Sequence, residues 1–209
     1  MKRTALRFLL PAILLLPAMT AWHGGWALIT VDDLPEYAVS GATMKLSFMV
    51  RQHGEELMAG LEPVVIAANG EARVKVAAKA AKERGRYVAP LSLSEAGDWT
   101  ITIHSGYHES SSTLPPLRVI DPGAAPPPAW TDLQRGKRLF VAKGCVTCHV
   151  RIPVGPRLGE KKYDAEWLGS FLQKPVRLTQ TIDARMPDLG LKPPEIAALV
   201  SYINTGLGQ

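Results

Sequence analysis

Cysteine is nearly absent from this chain: 209 residues include two, Cys145 and Cys148, so no disulfide can join distant parts of it. Long blocks of one charge are missing too, and with 46% apolar and 21% charged residues the composition is globular, which excludes a disordered tail or a collagen-like repeat. Unbroken apolar runs of spanning length are lacking, which excludes a polytopic membrane protein. The formal net charge of +5 suggests nucleic-acid binding until its location is considered. Lys2, Arg3 and Arg7 belong to an N-terminal segment, and residues 28 to 209 carry 21 positive and 19 negative side chains.

Residues 1–27 read as a signal peptide or N-terminal anchor. Lys2, Arg3 and Arg7 form a basic start, Phe8 to Ala21 an apolar stretch, and Gly25 and Ala27 small residues that suit cleavage. The apolar stretch is broken by Pro11 and Pro17 and falls short of the ~20 residues that a bilayer-spanning helix needs. Cleaved or retained, this start places the remainder in the periplasm or at the outer face of a bacterial cytoplasmic membrane.

Residues 28–121 show period-two patterning, as in Met44, Leu46, Phe48 and Val50, with turn signals at Asn69-Gly70 and Ala96-Gly97-Asp98. Strands are expected at Val64 to Ala68, Ala72 to Ala77, Arg86 to Leu93, Trp99 to His104 and Leu117 to Ile120, giving a β-sandwich. The stretch Gly97 to Tyr107 resembles a late strand of the immunoglobulin-like domains found in bacterial envelope redox and copper-handling proteins. Residues 122–129 contain Pro126, Pro127 and Pro128, a stiff linker. Beyond it, residues 130–209 take a helical period: Leu133, Gly136 and Phe140; Trp167, Leu168, Phe171 and Leu172; Ile196, Leu199, Val200 and Ile203. Asp164 is the expected cap of the second helix, Pro175 its terminator, Pro194 lies in the first turn of the third, and Gly206 closes that one.

Cys145-Val146-Thr147-Cys148-His149 carries the chemistry. In an exported chain, two thiols at this spacing followed by histidine are the attachment signature of one covalent haem c, with His149 as iron ligand. A thioredoxin-like dithiol would follow a strand, and a zinc site would need further ligands; neither context is present, since no cysteine or histidine follows His149. Downstream of His149 the only methionine is Met186, in a loop before Pro187, which makes it the candidate for the other axial position. An open position, a lysine or a histidine of the sandwich are the alternatives.

Taken together, Gly136-Lys-Arg-Leu-Phe140, the cysteine motif, Gly155-Pro156-Arg157-Leu158 and Leu199-Val-Ser-Tyr202-Ile203 resemble the class I monohaem cytochromes c. The resemblance implies an all-α cytochrome c domain after the immunoglobulin-like sandwich, and assigns Pro156 as the carbonyl that accepts a hydrogen bond from His149. It implies weaker roles for Tyr163 and Trp167 beside the haem.

The expected function is one-electron transfer to or from a membrane redox complex, not catalysis. Residues 129 to 209 hold 12 positive and 7 negative side chains, which suits an acidic docking face on the partner. Alternatively the chain is a fixed haem subunit of a larger membrane oxidoreductase or photosynthetic complex, with the sandwich as its docking module. A third reading makes the sandwich a copper site, built from His53, His104 and His108 with Met44, Met49 or Met58.

Overall fold

The computed structural model describes residues 25–152, 154–176, 186–205 and 207. Among the described residues eleven strands come first: β1 (Ala27–Val31), β2 (Tyr37–Val39), β3 (Thr43–Gln52), β4 (Glu56–Leu57), β5 (Val64–Asn69), β6 (Ala72–Ala77), β7 (Lys79–Ala80), β8 (Arg86–Ser92), β9 (Gly97–His104), β10 (Ser111–Thr113) and β11 (Leu117–Ile120). They form two sheets, one in the order β1-β3-β8-β7 with β4 on β3, the other in the order β2-β11-β9-β5-β6 with β10 on β9. All pairings are antiparallel except β2 with β11.

Alternation explains the core between the sheets. On β3, Leu46, Phe48 and Val50 point inward; on β9, Trp99, Ile101 and Ile103 do the same, and all six are fully buried. Burying side chains of this size stabilises by roughly 1.5–3 kcal/mol each, before the entropy of ordering the chain is counted. Trp99 also donates from its indole nitrogen to Glu95 O at 3.0 Å, and the Tyr87 hydroxyl donates to Met58 O at 2.9 Å, so the largest core groups are satisfied.

β1 departs from alternation: all five of its residues are buried. Ile29 and Val31 face the sandwich core, whereas Leu28 and Thr30 lie on the outer face, covered by the chain beyond the linker. Ser111–Thr113 pairs with β9 as β10.

After the sandwich come α1 (Asp132–Ala142), α2 (Ala165–Gln173) and α3 (Pro193–Thr205), with a five-residue π-helical turn at Thr147–Arg151. Thr131 and Gln134 close a capping box on α1, and the Asp164 carboxylate accepts from Trp167 N at 2.8 Å to start α2. The expected closing residue of α3, Gly206, lies outside the described residues.

The expectation of an all-α cytochrome c domain is corrected by this architecture. The protein is a β-sandwich with a few short helices laid against it; the three α-helices hold 11, 9 and 13 residues. They have a small apolar cluster of Phe140, Leu168, Leu172, Leu191, Leu199 and Ile203, but α1 is rooted in the sandwich. Ala142 belongs to the sandwich core, and Arg138, buried beneath Trp130, donates to Pro116 O at 2.6 Å and Pro35 O at 3.1 Å. Arg135 pairs with Glu36 at 3.0 Å, and Lys192 with Asp33 at 2.7 Å. The helical periodicity is real, but these contacts, made by side chains that look like surface cations in the sequence, leave no free-standing helical body.

Gly136 sets the crossing of α1 and α3. A Cβ there would stand 2.1 Å from Ala198 O and 2.6 Å from Tyr202 Cβ, whereas one on Gly169 of α2 would meet only Ile196 at 3.7 Å. Gly136→Ala is therefore expected to destabilise by about 1–3 kcal/mol through overpacking, and Gly169→Ala to stabilise by up to ~1 kcal/mol through helix propensity. Denaturant midpoints of the two variants check the opposite signs.

Candidate functional site

Between the outer face of β1 and the helices lies a cavity of about 510 Å³. Cys145, Cys148, His149 and Met186, the four chemistry-bearing residues read from the sequence, all line it, as does Pro156. Phe140, Leu168, Phe171, Leu172 and Ile203 make its walls apolar. A pocket of this kind, largely apolar with a few polar atoms, has the character of a small-molecule or cofactor site.

The motif is delivered by the end of α1. Lys143 caps that helix, its backbone N–H donating to Leu139 O, and Gly144 comes next with φ of +75°. A Cβ at Gly144 would lie 2.5 Å from Leu28 Cδ1 and 2.8 Å from Ile29 O, so only glycine lets the chain turn this close to β1. Cys148 and His149 then lie on the π-helical turn, a local widening of helical geometry often found at functional sites.

His149 is oriented by its neighbour. Its Nδ1 lies 2.8 Å from Pro156 O, and an N–H at Nδ1 donating to that carbonyl leaves Nε2 as the unprotonated, lone-pair nitrogen. Burial holds the imidazole pKa below its ordinary value of 6.5, with the Pro156 bond opposing the shift. Gly155 makes room for the ring: a Cβ there would stand 2.8 Å from His149 Cε1. Burial pushes the Cys145 thiol up to about 12 and the Cys148 thiol up to about 11, so both are protonated at neutral pH and lack the depressed pKa of a reactive dithiol.

Tyr163, Trp167 and Phe171 form a stacked ladder along the rim, with centroids 6.0 and 5.4 Å apart and planes within 13°. Trp167 is 44% exposed. Among the wall residues that sequence reasoning did not place at the site are Leu28 and His53, both from the sandwich. Leu28 had a signal: an apolar residue on a strand position that alternation turns outward. His53 had none in the sequence, and its backbone is left-handed, with φ of +51°.

The three histidines of the copper reading are not gathered into a centre. His53 lies beside Trp26 and His108 against Tyr107, while His104 pairs with Ser111 and Val64 in the sheet. Among the described residues no group of three or more His, Cys, Asp or Glu side chains could hold a metal ion. The expectation of a metal-binding cytochrome is corrected to that extent, since the described residues show no metal centre built from such side chains alone.

No protein family matches the chain, and no curated protein does. Solved structures that it resembles include the filamin domain of Lin-41, with 14% identity and a TM-score of 0.35 over 45% of this chain and 91% of that one. Others are a CARDB domain from Pyrococcus furiosus in complex with di-metal ions (13% identity, TM-score 0.29, 47% of this chain and 94% of that one) and surface layer protein SbsC, domains 1–6 (17%, 0.35, 46% and 13%). These are low-level likenesses. The resemblance to class I cytochromes c is withdrawn as a family assignment on the architecture itself, a β-sandwich with three short α-helices among the described residues. Its physical basis was a handful of local contacts, such as Gly136 on α3 and His149 on Pro156, and such contacts do not define a family or an all-α fold.

Because the folded pKa of His149 is depressed, the folded chain holds fewer protons than the unfolded one just below pH 6.5. In protein free of any bound group, the stability contributed is fully present above the unfolded value and lost as pH falls through the lower folded one. Urea midpoints between about pH 7 and about pH 5 are expected to fall more steeply for the wild type than for His149→Gln.

Proposed function

We propose that this chain carries one covalently attached haem at Cys145 and Cys148 and passes single electrons to or from a membrane redox complex outside the cytoplasm. The observation that carries the reading is the convergence of both thiols, the His149 ring and Met186 on one apolar cavity. When bound, such a haem supplies a one-electron couple whose potential is raised by imidazole and thioether ligation. The chain's own residues do the rest. Cys145 and Cys148 are spaced for two thioether links, and neither is poised to act as a free thiolate. Pro156 O holds the His149 ring in the tautomer whose Nε2 can ligate, and Met186 offers the other sulfur. Phe140, Leu168 and Leu172, all buried, give the cavity an apolar wall.

Docking is served by charge. Arg157, Lys161, Lys162 and Lys174 stand exposed, each adjacent in sequence or nearly so to a residue of the cavity wall, and they suit a partner with an acidic face. Polar seams between the helices and the sandwich, such as Lys192 with Asp33, also fit a fixed subunit, in which the electron site keeps one attitude relative to the docked sandwich.

The exported protein should give a pyridine haemochrome of one haem per chain, and Cys145→Ala with Cys148→Ala should abolish the covalent fraction. Met186→Ala should keep the haem while losing the sulfur-to-iron absorption band. Protein without haem would contradict the reading. Association with an acidic redox partner should slow by about tenfold or more as ionic strength rises from ~0.01 to ~0.1 M, checked by stopped flow.

A further inference from the structure

The sandwich is more than a neighbour of the cavity: its outer face forms one wall. On that face Leu28 is the register partner of Arg51, and Thr30 of Met49, while the intervening Ile29 and Val50 lie in the sandwich core. His53 lies two residues beyond Arg51, and Leu28 and His53 both line the cavity that Cys145, Cys148 and His149 enter. Arg51 therefore stands behind the wall, between two of its residues.

Arg51 is an unusual occupant for that place. It is 8% exposed, and its hydrogen bonds go to the Thr30 hydroxyl at 2.8 Å and the Met49 sulfur at 3.4 Å, not to a carboxylate. The nearest acid on its own sheet, Asp32, is engaged by Arg86 and by the Ser47 hydroxyl. Asp32 attracts Arg51 most, Arg86 repels it, and Glu83 and Asp188 attract it more weakly. Asp188 lies two residues after Met186, which lines the cavity. A guanidinium stays ionised even when buried, and burying one with neutral partners costs stability. A role that gains from fixed positive charge would offset that cost.

We propose that Arg51 is an electrostatic element of the electron site: the sandwich places a permanent cation behind the cavity wall, and its field raises the reduction potential of the haem held at Cys145, Cys148 and His149. The inference rests on the function proposed above and gives the sandwich a part in it beyond docking. One electron from a donor adds one negative charge inside the cavity, and a nearby fixed cation stabilises that added charge; no bond is made or broken. Arg51 touches no reacting atom and acts through its field alone.

Redox titration of the exported holoprotein at fixed pH and salt tests this. Arg51→Met keeps the bulk and removes the charge, and should lower the potential by about 59 mV, equivalent to a tenfold shift of the one-electron equilibrium. Arg51→Lys should retain most of the wild-type value, which a purely structural role for the guanidinium would not predict. Arg51→Gln also removes the charge while keeping a polar side chain, should lower the potential likewise, and decides the matter if Arg51→Met fails to fold. An unchanged or higher potential in either variant would overturn the proposal. A haemochrome assay on the same samples separates the two failures: haem present with unmoved potentials refutes only the role of Arg51, whereas absence of haem refutes the electron-transfer reading itself.

Discussion

The seating of Lys143 is the constraint on which the rest of the structure depends. Its side chain is almost wholly buried, its ammonium donates to Asp32 O at 2.6 Å and pairs with Glu195 at 2.9 Å, and its backbone caps α1. One residue thus ties the end of β1, the end of α1 and the start of α3 at the point where the chain enters the cysteine motif. A buried ion pair of this sort is a weak source of net stability, because desolvation offsets most of the Coulombic gain. Its value lies in geometry: the pair is satisfied in one arrangement, and in that arrangement Gly144 lies on Leu28 and Cys145 faces the cavity.

That seating divides the labour between the two parts. The sandwich core is built from the strands and their loops, with Trp99, Tyr87 and Phe48 among its largest buried side chains and Ala142 of α1 added to it. The helical residues possess only a small cluster, around Phe140 and Leu199, and complete their burial on the sandwich through Ala142, Arg138 and Lys143. Their cavity remains lined by residues from both parts. A covalently attached group filling it would extend the smaller core and add to its stability.

Much of the sandwich was legible in the sequence, because Ile101 and Ile103 on β9 alternate cleanly with exposed or half-buried neighbours, and Leu46, Phe48 and Val50 recur at every second position of β3, although Met49 and Arg51 between and beyond them are buried too. β1 was not, since a strand covered on both faces loses its alternation and reads as an undifferentiated apolar run. The helices were legible from Asp164 and the 3.6-residue period, but their attachment was hidden: Arg138 and Lys143 look like solvated cations until the carbonyls of Pro35, Pro116 and Asp32 are seen above them. The site divides in the same way. Cys145, Cys148 and His149 are a local pattern, and Met186 was reached by elimination. Leu28 and His53 reach the cavity only through the pairing of β1 with β3 and the docking of α1, contacts that span about a hundred residues of sequence and leave no local trace.

The claim at the centre of this account is that both thiols are consumed by one group in one cavity. Intact mass of the exported protein, denatured and treated with iodoacetamide, tests it directly. The account predicts a chain heavier by one haem with no alkylated cysteine, whereas two carbamidomethyl groups and no added haem would contradict it.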